Sequence, residues 1–120
     1  MSGSGSACEV RLVDATVVDA LMLECGPELF PALVESLAEE GAERLADLEL
    51  AVAGGDAAGA RAAAHALRGL ALDFGLEVLA QEAWKIEAGA RGGGAPGPEA
   101  AERARDLLTR SVASLRALKR

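Results

Sequence analysis

One histidine occurs in this 120-residue chain, and its neighbours are those of a reactive group rather than of a packed side chain. His65 begins the run His-Ala-Leu-Arg-Gly, so Arg68 follows about one helical turn later and Gly69 comes directly after it. An imidazole is substantially neutral at cytoplasmic pH, and one of its nitrogens can then attack an electrophile. A guanidinium beside it could offset the charge of an acquired phosphoryl group. The run predicts an exposed nucleophile assisted by a cation.

Helical geometry places His65 opposite the apolar stripe of its own helix. Each residue of an α-helix advances by about 100°, so Ala63, Leu67, Leu70 and Phe74 fall about 140–200° away from the histidine. These four residues are the predicted core positions of the helix. His65 is therefore predicted to face solvent.

The face around His65 is low and partly apolar. Its members lie within about 60° of the histidine direction, and they are Ala58, Arg61, Ala62, Arg68, Gly69 and Leu72. A glycine within a helix lowers its stability, but here the missing side chain leaves room for a partner or a phosphoryl group. Each of these residues alone would be an ordinary surface residue. Together they predict a docking surface with a nucleophile at its centre.

The composition excludes several classes of protein. The formal net charge of −7 argues against binding to nucleic acid or to anionic membranes. No apolar run approaches the roughly 20 residues that a membrane span needs. Cys8 and Cys25 form neither a disulfide framework nor a metal-ligand spacing, so we expect a cytoplasmic protein.

The elements that must position His65 are helices, because Ala and Leu dominate the apolar residues. Spacing, caps and breakers predict helices over about 14–24, 27–53, 57–74, 76–88 and 98–118, with 89–97 as the longest loop. Asp14 and Asp56 are the predicted N-caps. The predicted apolar positions of the fourth of these helices are Leu76, Leu79, Ala80, Ala83, Trp84 and Ile86.

These elements predict an all-α fold, an antiparallel up-down four-helix bundle with an additional short N-terminal helix. Residues 1–10 are predicted to be a flexible N-terminal segment, which could be an artificial leader, and residues 11–120 to be the bundle. Lys119 and Arg120 would suit the negative end of the last helix.

The eleven residues from His65 to Gly75 resemble the signature of histidine phosphotransfer (Hpt) domains. That signature is His, any residue, Leu, Lys or Arg, Gly, then a small-residue stretch ending in an apolar residue and Gly. The resemblance covers about residues 12–118, although its upstream part is generic amphipathic helix. Leu70 departs from it, as do Leu72 and Asp73, where smaller or more polar residues are common. We expect these departures to narrow the set of partners and not to remove the phosphotransfer chemistry.

The resemblance implies phosphorelay signal transduction. His65 would accept a phosphoryl group on Nε2 from the aspartate of a response-regulator receiver domain and pass it to another. Arg68 would stabilise that group electrostatically, and Gly69 would give the receiver access. Glu87 stands where Gln or Glu is usual, and would hold Nδ1–H so that Nε2 is free to attack.

The expected protein is thus a phosphocarrier and not an enzyme with its own ATP site. We expect no bound cofactor or metal, because Mg²⁺ belongs to the partner receiver domain, and we expect a monomer. The partners would be receiver domains, a hybrid histidine kinase, or both. The alternatives are a helical docking module that transfers nothing, and the phosphotransfer part of a larger hybrid or chemotaxis-type kinase. A metal-binding bundle would need Glu-x-x-His pairs, which this sequence lacks.

Overall fold

The computed structural model describes residues 12–118, which form α-helices joined by short connections and contain no strand. The helices are α1 (Ala15–Ala53), α2 (Ala57–Asp73), α3 (Glu77–Arg91) and α4 (Pro98–Arg116). The predicted N-terminal segment, with Cys8, lies outside the described residues, as do Lys119 and Arg120 at the other end.

The four helices close into a ring in which each packs against two others. α1 packs against α2 and α4, and α3 packs against α2 and α4. The connections are short, at residues 54–56, 74–76 and 92–97, so consecutive helices run antiparallel. The predicted all-α, up-down four-helix bundle is confirmed.

A kink at Gly26 divides α1 into a short N-terminal arm and a long helix. Gly26 has φ 83° and ψ 161°, a backbone conformation that is essentially restricted to glycine, and Pro27 follows it. The predicted additional N-terminal helix is this arm. Its start is tied to the α2–α3 turn, because the Asp14 backbone N–H donates to the Gly75 carbonyl at 2.7 Å.

Side-chain caps begin two of the four described helices, α1 and α2. The side chain of Asp14 accepts a hydrogen bond from the Thr16 backbone N–H, and that of Asp56 accepts one from the Gly59 N–H, both at 2.9 Å. These two predicted N-caps are confirmed, and each satisfies a backbone donor that the helix leaves unpaired.

The predicted end of α3 is wrong, because the helix continues from Ala88 to Arg91. Gly89 is exposed, so its missing side chain removes no packing contact. Ala90, the next residue, is buried. Arg91 then reaches back one turn to Glu87, a spacing at which helical side chains meet. The extra turn therefore has both a buried residue and an ion pair to hold it.

Alanine and leucine fill the core, which lets the helices approach closely. The buried apolar residues of α2 to α4 are Ala60, Ala63, Ala64, Leu67, Ala71, Leu79, Ala80, Ala83, Ile86, Ala90, Ala100, Ala101, Ala104, Leu108, Val112 and Leu115. No described helix is long and apolar enough to cross a membrane.

The prediction that Trp84 belongs to the core is wrong, because this residue is 53% exposed. The buried stripe of α3 runs through Leu79, Ala83, Ile86 and Ala90. Trp84 falls about 100° from Ala83 and lies at the rim of the groove between α2 and α3.

Candidate functional site

His65 lies on the outer face of α2, above the residues that pack that helix into the bundle. Its side chain is 70% exposed, whereas Ala63 and Leu67 on either side in sequence are buried. Of the other predicted core positions, Phe74 is buried and Leu70 is half-buried against the core. The period of the helix thus places the imidazole in solvent, as the angle count predicts.

A buried carboxylate holds one side of the imidazole. His65 Nδ1 lies 2.9 Å from Glu87 Oε2, and the Glu87 side chain, on α3, is only 5% exposed. An ionised carboxylate only accepts hydrogen bonds, so this contact selects the tautomer in which Nδ1 carries the proton. Nε2 then has the lone pair, and the ring is oriented by a group that cannot easily move.

Two arginines also converge on Glu87. Arg91 Nη2 donates to Glu87 Oε2 at 3.3 Å. Arg68 Nη1 lies 3.9 Å from Glu87 Oε1, which is an ion-pair distance but too long for a hydrogen bond. Glu87 Oε1 is buried and accepts no hydrogen bond. Both guanidinium groups therefore lie against the carboxylate that contacts the imidazole, and Arg68 makes no hydrogen bond to it.

An open depression lies beside the ring, between α2 and α3. Its lining consists of Ala58, Arg61, Ala62, His65, Glu87 and Arg91. The alanines keep its floor low, and the arginines come one from each helix. Sequence reasoning missed Arg91, because it ended α3 at Ala88. The signal available was the i,i+4 spacing from Glu87 to Arg91.

Gly69 and Leu72 extend this face toward the other end of α2. A Cβ added at Gly69 would meet no atom within 4 Å apart from its own stretch of helix, so internal packing does not require a glycine there. Leu72 is 54% exposed and lies in a second depression with Arg68 and Trp84.

The structure thus brings His65 and Arg68 each to within 4 Å of Glu87. Arg61, Ala58 and Ala62 line the depression beside them, and Gly69 and Leu72 share the same helix face. Residues 12–118 contain no cluster of His, Cys, Asp and Glu side chains that could hold a metal ion. The chemical roles of these residues stay predictions.

Comparison with known proteins points to one family. The model of the family described as the Hpt domain matches residues 32–117. Among solved structures, the chain resembles histidine-containing phosphotransfer protein B (HptB) from Pseudomonas aeruginosa PAO1, with 28% sequence identity, 90% coverage of each chain and a TM-score of 0.68. A comparison with curated proteins found no significant match.

Proposed function

The chain belongs to the Hpt domain family, whose members carry out histidine phosphotransfer in two-component phosphorelays, and from this premise we propose that His65 is the residue that carries the phosphoryl group. One observation supports this assignment above the others. The exposed imidazole has its Nδ1 within hydrogen-bonding distance of a buried carboxylate, which leaves Nε2 as the free nucleophile.

The proposed reaction is an exchange of one bond to phosphorus for another. The lone pair of His65 Nε2 attacks the phosphorus of an aspartyl phosphate on a receiver domain. The N–P bond forms while the P–O bond to the aspartate breaks, and the receiver regains its carboxylate. The proton stays on Nδ1, so the phosphorylated ring is cationic and the Glu87 carboxylate faces that charge at 2.9 Å. Attack by the aspartate of a second receiver reverses these steps.

The arginines supply positive charge where the phosphoryl group arrives. Arg68 lies one turn from His65 on α2, and Arg61 and Arg91 flank the depression beside the ring. In a chain of net charge −7, such a local cluster favours a phosphoryl group and the acidic centre of a receiver. Mg²⁺ would be held by the receiver.

The surface that meets the partner is proposed to be Ala58, Arg61, Ala62, Gly69 and Leu72, around the ring. We further propose that the domain has no ATP site of its own and acts only with a receiver domain, a hybrid histidine kinase, or both. A monomer is proposed because the exposed histidine face must stay open. A cytoplasmic setting is proposed because two cysteines make no disulfide framework.

The test is phosphoryl transfer from radiolabelled receiver domains. The receivers encoded in the same genome are phosphorylated, mixed with the full chain and Mg²⁺, and screened for transfer. Label on the native chain should be labile in acid and stable in alkali, as expected for a phosphorus–nitrogen bond. His65→Gln should accept none, and its exposed position predicts unchanged folding by circular dichroism. Label retained by His65→Gln, or no transfer from any receiver, would overturn the proposal, and binding without transfer would indicate a docking module.

A further inference from the structure

A half-exposed tryptophan lies beside the proposed site without any role in the chemistry. Trp84 is the only tryptophan in the sequence, and this residue is 53% exposed. An indole is a large apolar group, and such groups left in water are frequent anchors of protein interfaces. A single exposed apolar residue is nevertheless ordinary, so the surroundings of Trp84 decide its meaning.

Trp84 is one of two large apolar side chains that border a depression between two helices. A shallow depression between α2 and α3 is lined by Arg68, Leu72, Glu77, Ala80, Gln81 and Trp84, which we call the tryptophan surface. Leu72 is 54% exposed and stands on the opposite helix from Trp84. Two large apolar groups on either side of a low floor form a place where another apolar surface can pack.

The tryptophan surface is continuous with the histidine site. Arg68 lines it and also reaches Glu87, the residue that holds the imidazole. Leu72 lies seven residues beyond His65, about 10 Å along α2, and Trp84 lies about 4.5 Å along α3 from Glu87. Even a small transient interface of about 600 Å² per partner covers a disc about 14 Å in radius. An interface of that size centred on His65 therefore extends along the two helices past the levels of Leu72 and Trp84.

We infer that Trp84, together with Leu72, forms an apolar docking surface for the receiver domain and contacts that domain beside its phosphoacceptor aspartate. This inference rests on the proposed function, since a receiver must approach His65 Nε2 for transfer. The two sides of the face differ in character. Arg61 and Arg91 on one side complement an acidic receiver centre, whereas the tryptophan surface on the other side fits an apolar neighbouring region.

The first test uses Trp84 as its own reporter. Its fluorescence is recorded on the His65→Gln chain while the unphosphorylated receiver that exchanges phosphate fastest with the native chain is added. Trp84→Phe in the same background is the blank for emission from the receiver. We expect a saturable blue shift, because docking removes water from the indole. An unchanged emission at receiver concentrations that saturate transfer would overturn the inference. So would a shift that depends on the concentration of the chain alone, because it would assign the surface to a second copy.

The second test separates docking from chemistry. Trp84→Gln should raise the half-saturating receiver concentration for transfer by about tenfold and leave the rate at saturation unchanged. Trp84→Phe should restore docking, because it keeps an aromatic ring. Leu29→Gln, an exposed leucine of α1 that lines neither the tryptophan surface nor the depression beside His65, is the matched control and should change neither value. The inference would be overturned if Trp84→Gln lowered the rate at saturation and left the half-saturating concentration constant. It would also be overturned if Trp84→Gln and the control variant had equal effects. Failure of the native chain to accept label from any receiver would instead overturn the proposed function.

Discussion

At the scale of single residues, Glu87 is the side chain on which the proposed chemistry most depends after the histidine itself. Replacing it with leucine removes the acceptor for Nδ1–H, so the ring can turn and either nitrogen can carry the proton. We expect Glu87→Leu to slow phosphoryl transfer by about 10–100-fold, whereas Glu87→Gln keeps a carbonyl acceptor and most of the rate. The nitrogen chemical shifts of His65 in NMR spectra should show one tautomer in the native and glutamine chains and a mixture in the leucine chain.

A second buried glutamate of α3 provides the matched control. Glu82 accepts a hydrogen bond from Arg103 Nε at 3.0 Å, on the side of α3 that faces α4. Glu82→Leu removes a comparable buried charge and ion pair while leaving the imidazole untouched. If it slowed transfer as much as Glu87→Leu, the loss would reflect the stability of α3 and Glu87 would have no orienting role.

The candidate site could be predicted from the sequence only as far as local spacing reaches. His65, Arg68 and Gly69 lie within one helical turn or so, and a count of 100° per residue is enough to put them on one face. Glu87 is 22 residues from His65, and only the family resemblance brought them together before the structure did. Arg91 was missed because α3 was predicted to end at Ala88, and Trp84 was wrongly predicted in the core because its exposure depends on how α3 packs against α2.

At the scale of helices, two glycines within helical segments make different predictions about stability. A Cβ at Gly69 in α2 would meet nothing, whereas a Cβ at Gly41 in α1 would lie 2.8 Å from a methyl carbon of Leu108 in α4. Gly69→Ala should raise the free energy of unfolding by up to about 1 kcal/mol, since alanine favours the helix. Gly41→Ala should raise it by less, because the buried Leu108 must move. Urea denaturation of the two variants gives this order directly.

The same pair separates stability from function. Gly69→Ala places a methyl group on the face that a receiver must approach, so it should slow phosphoryl transfer although it strengthens the helix. Gly41→Ala lies inside the α1–α4 contact and should leave transfer unchanged. A Gly69→Ala chain that is both more stable and fully active would count against close contact of the partner at this position.

Helix boundaries were predictable where a cap or a breaker sets them and unpredictable where packing does. Asp14, Asp56 and Gly75 act locally, and each ends or begins a helix as the sequence predicts. Gly75 has φ 71°, which explains the turn from local geometry. A Cβ there would also lie 2.8 Å from the Cβ of Val17, a contact that arises only once the arm of α1 has folded back. The extension of α3 to Arg91 likewise depends on the burial of Ala90.

At the scale of the whole molecule, the ring of helices is closed between α1 and α4 by two bidentate ion pairs. Arg105 Nε and Nη2 donate to Glu49 at 2.8 and 2.9 Å, and Arg116 Nε and Nη2 donate to Glu35 at 2.7 and 2.6 Å. The partners are 56 and 81 residues apart in sequence, so only the register of the finished bundle selects them. This α1–α4 contact does not include α2 or its histidine.

These ion pairs predict how stability depends on pH. The hydrogen bond from Arg105 lowers the pKa of Glu49 from its ordinary value of 4.5, and that from Arg116 lowers the pKa of Glu35 in the same way. A carboxyl whose pKa is lowered by folding stabilises the native state above pH 4.5, and this stabilisation is lost as the pH falls through the lowered value. Glu49→Gln should therefore reduce the free energy of unfolding at pH 7, by less than about 1 kcal/mol because the pair is exposed.

The difference between Glu49→Gln and the native chain should shrink as the pH falls below 4.5, and it should also shrink in concentrated salt, which screens exposed charges. Urea denaturation across pH and salt measures both trends, with Glu39→Gln, an exposed glutamate on the same helix, as the control. Phosphoryl transfer at pH 7 should be unaffected, because the substitution lies on the α1–α4 side of the bundle. A difference in stability that persists at pH 3 would show that Glu49 acts through packing, and a loss of transfer would show that the α1–α4 contact positions the histidine face after all.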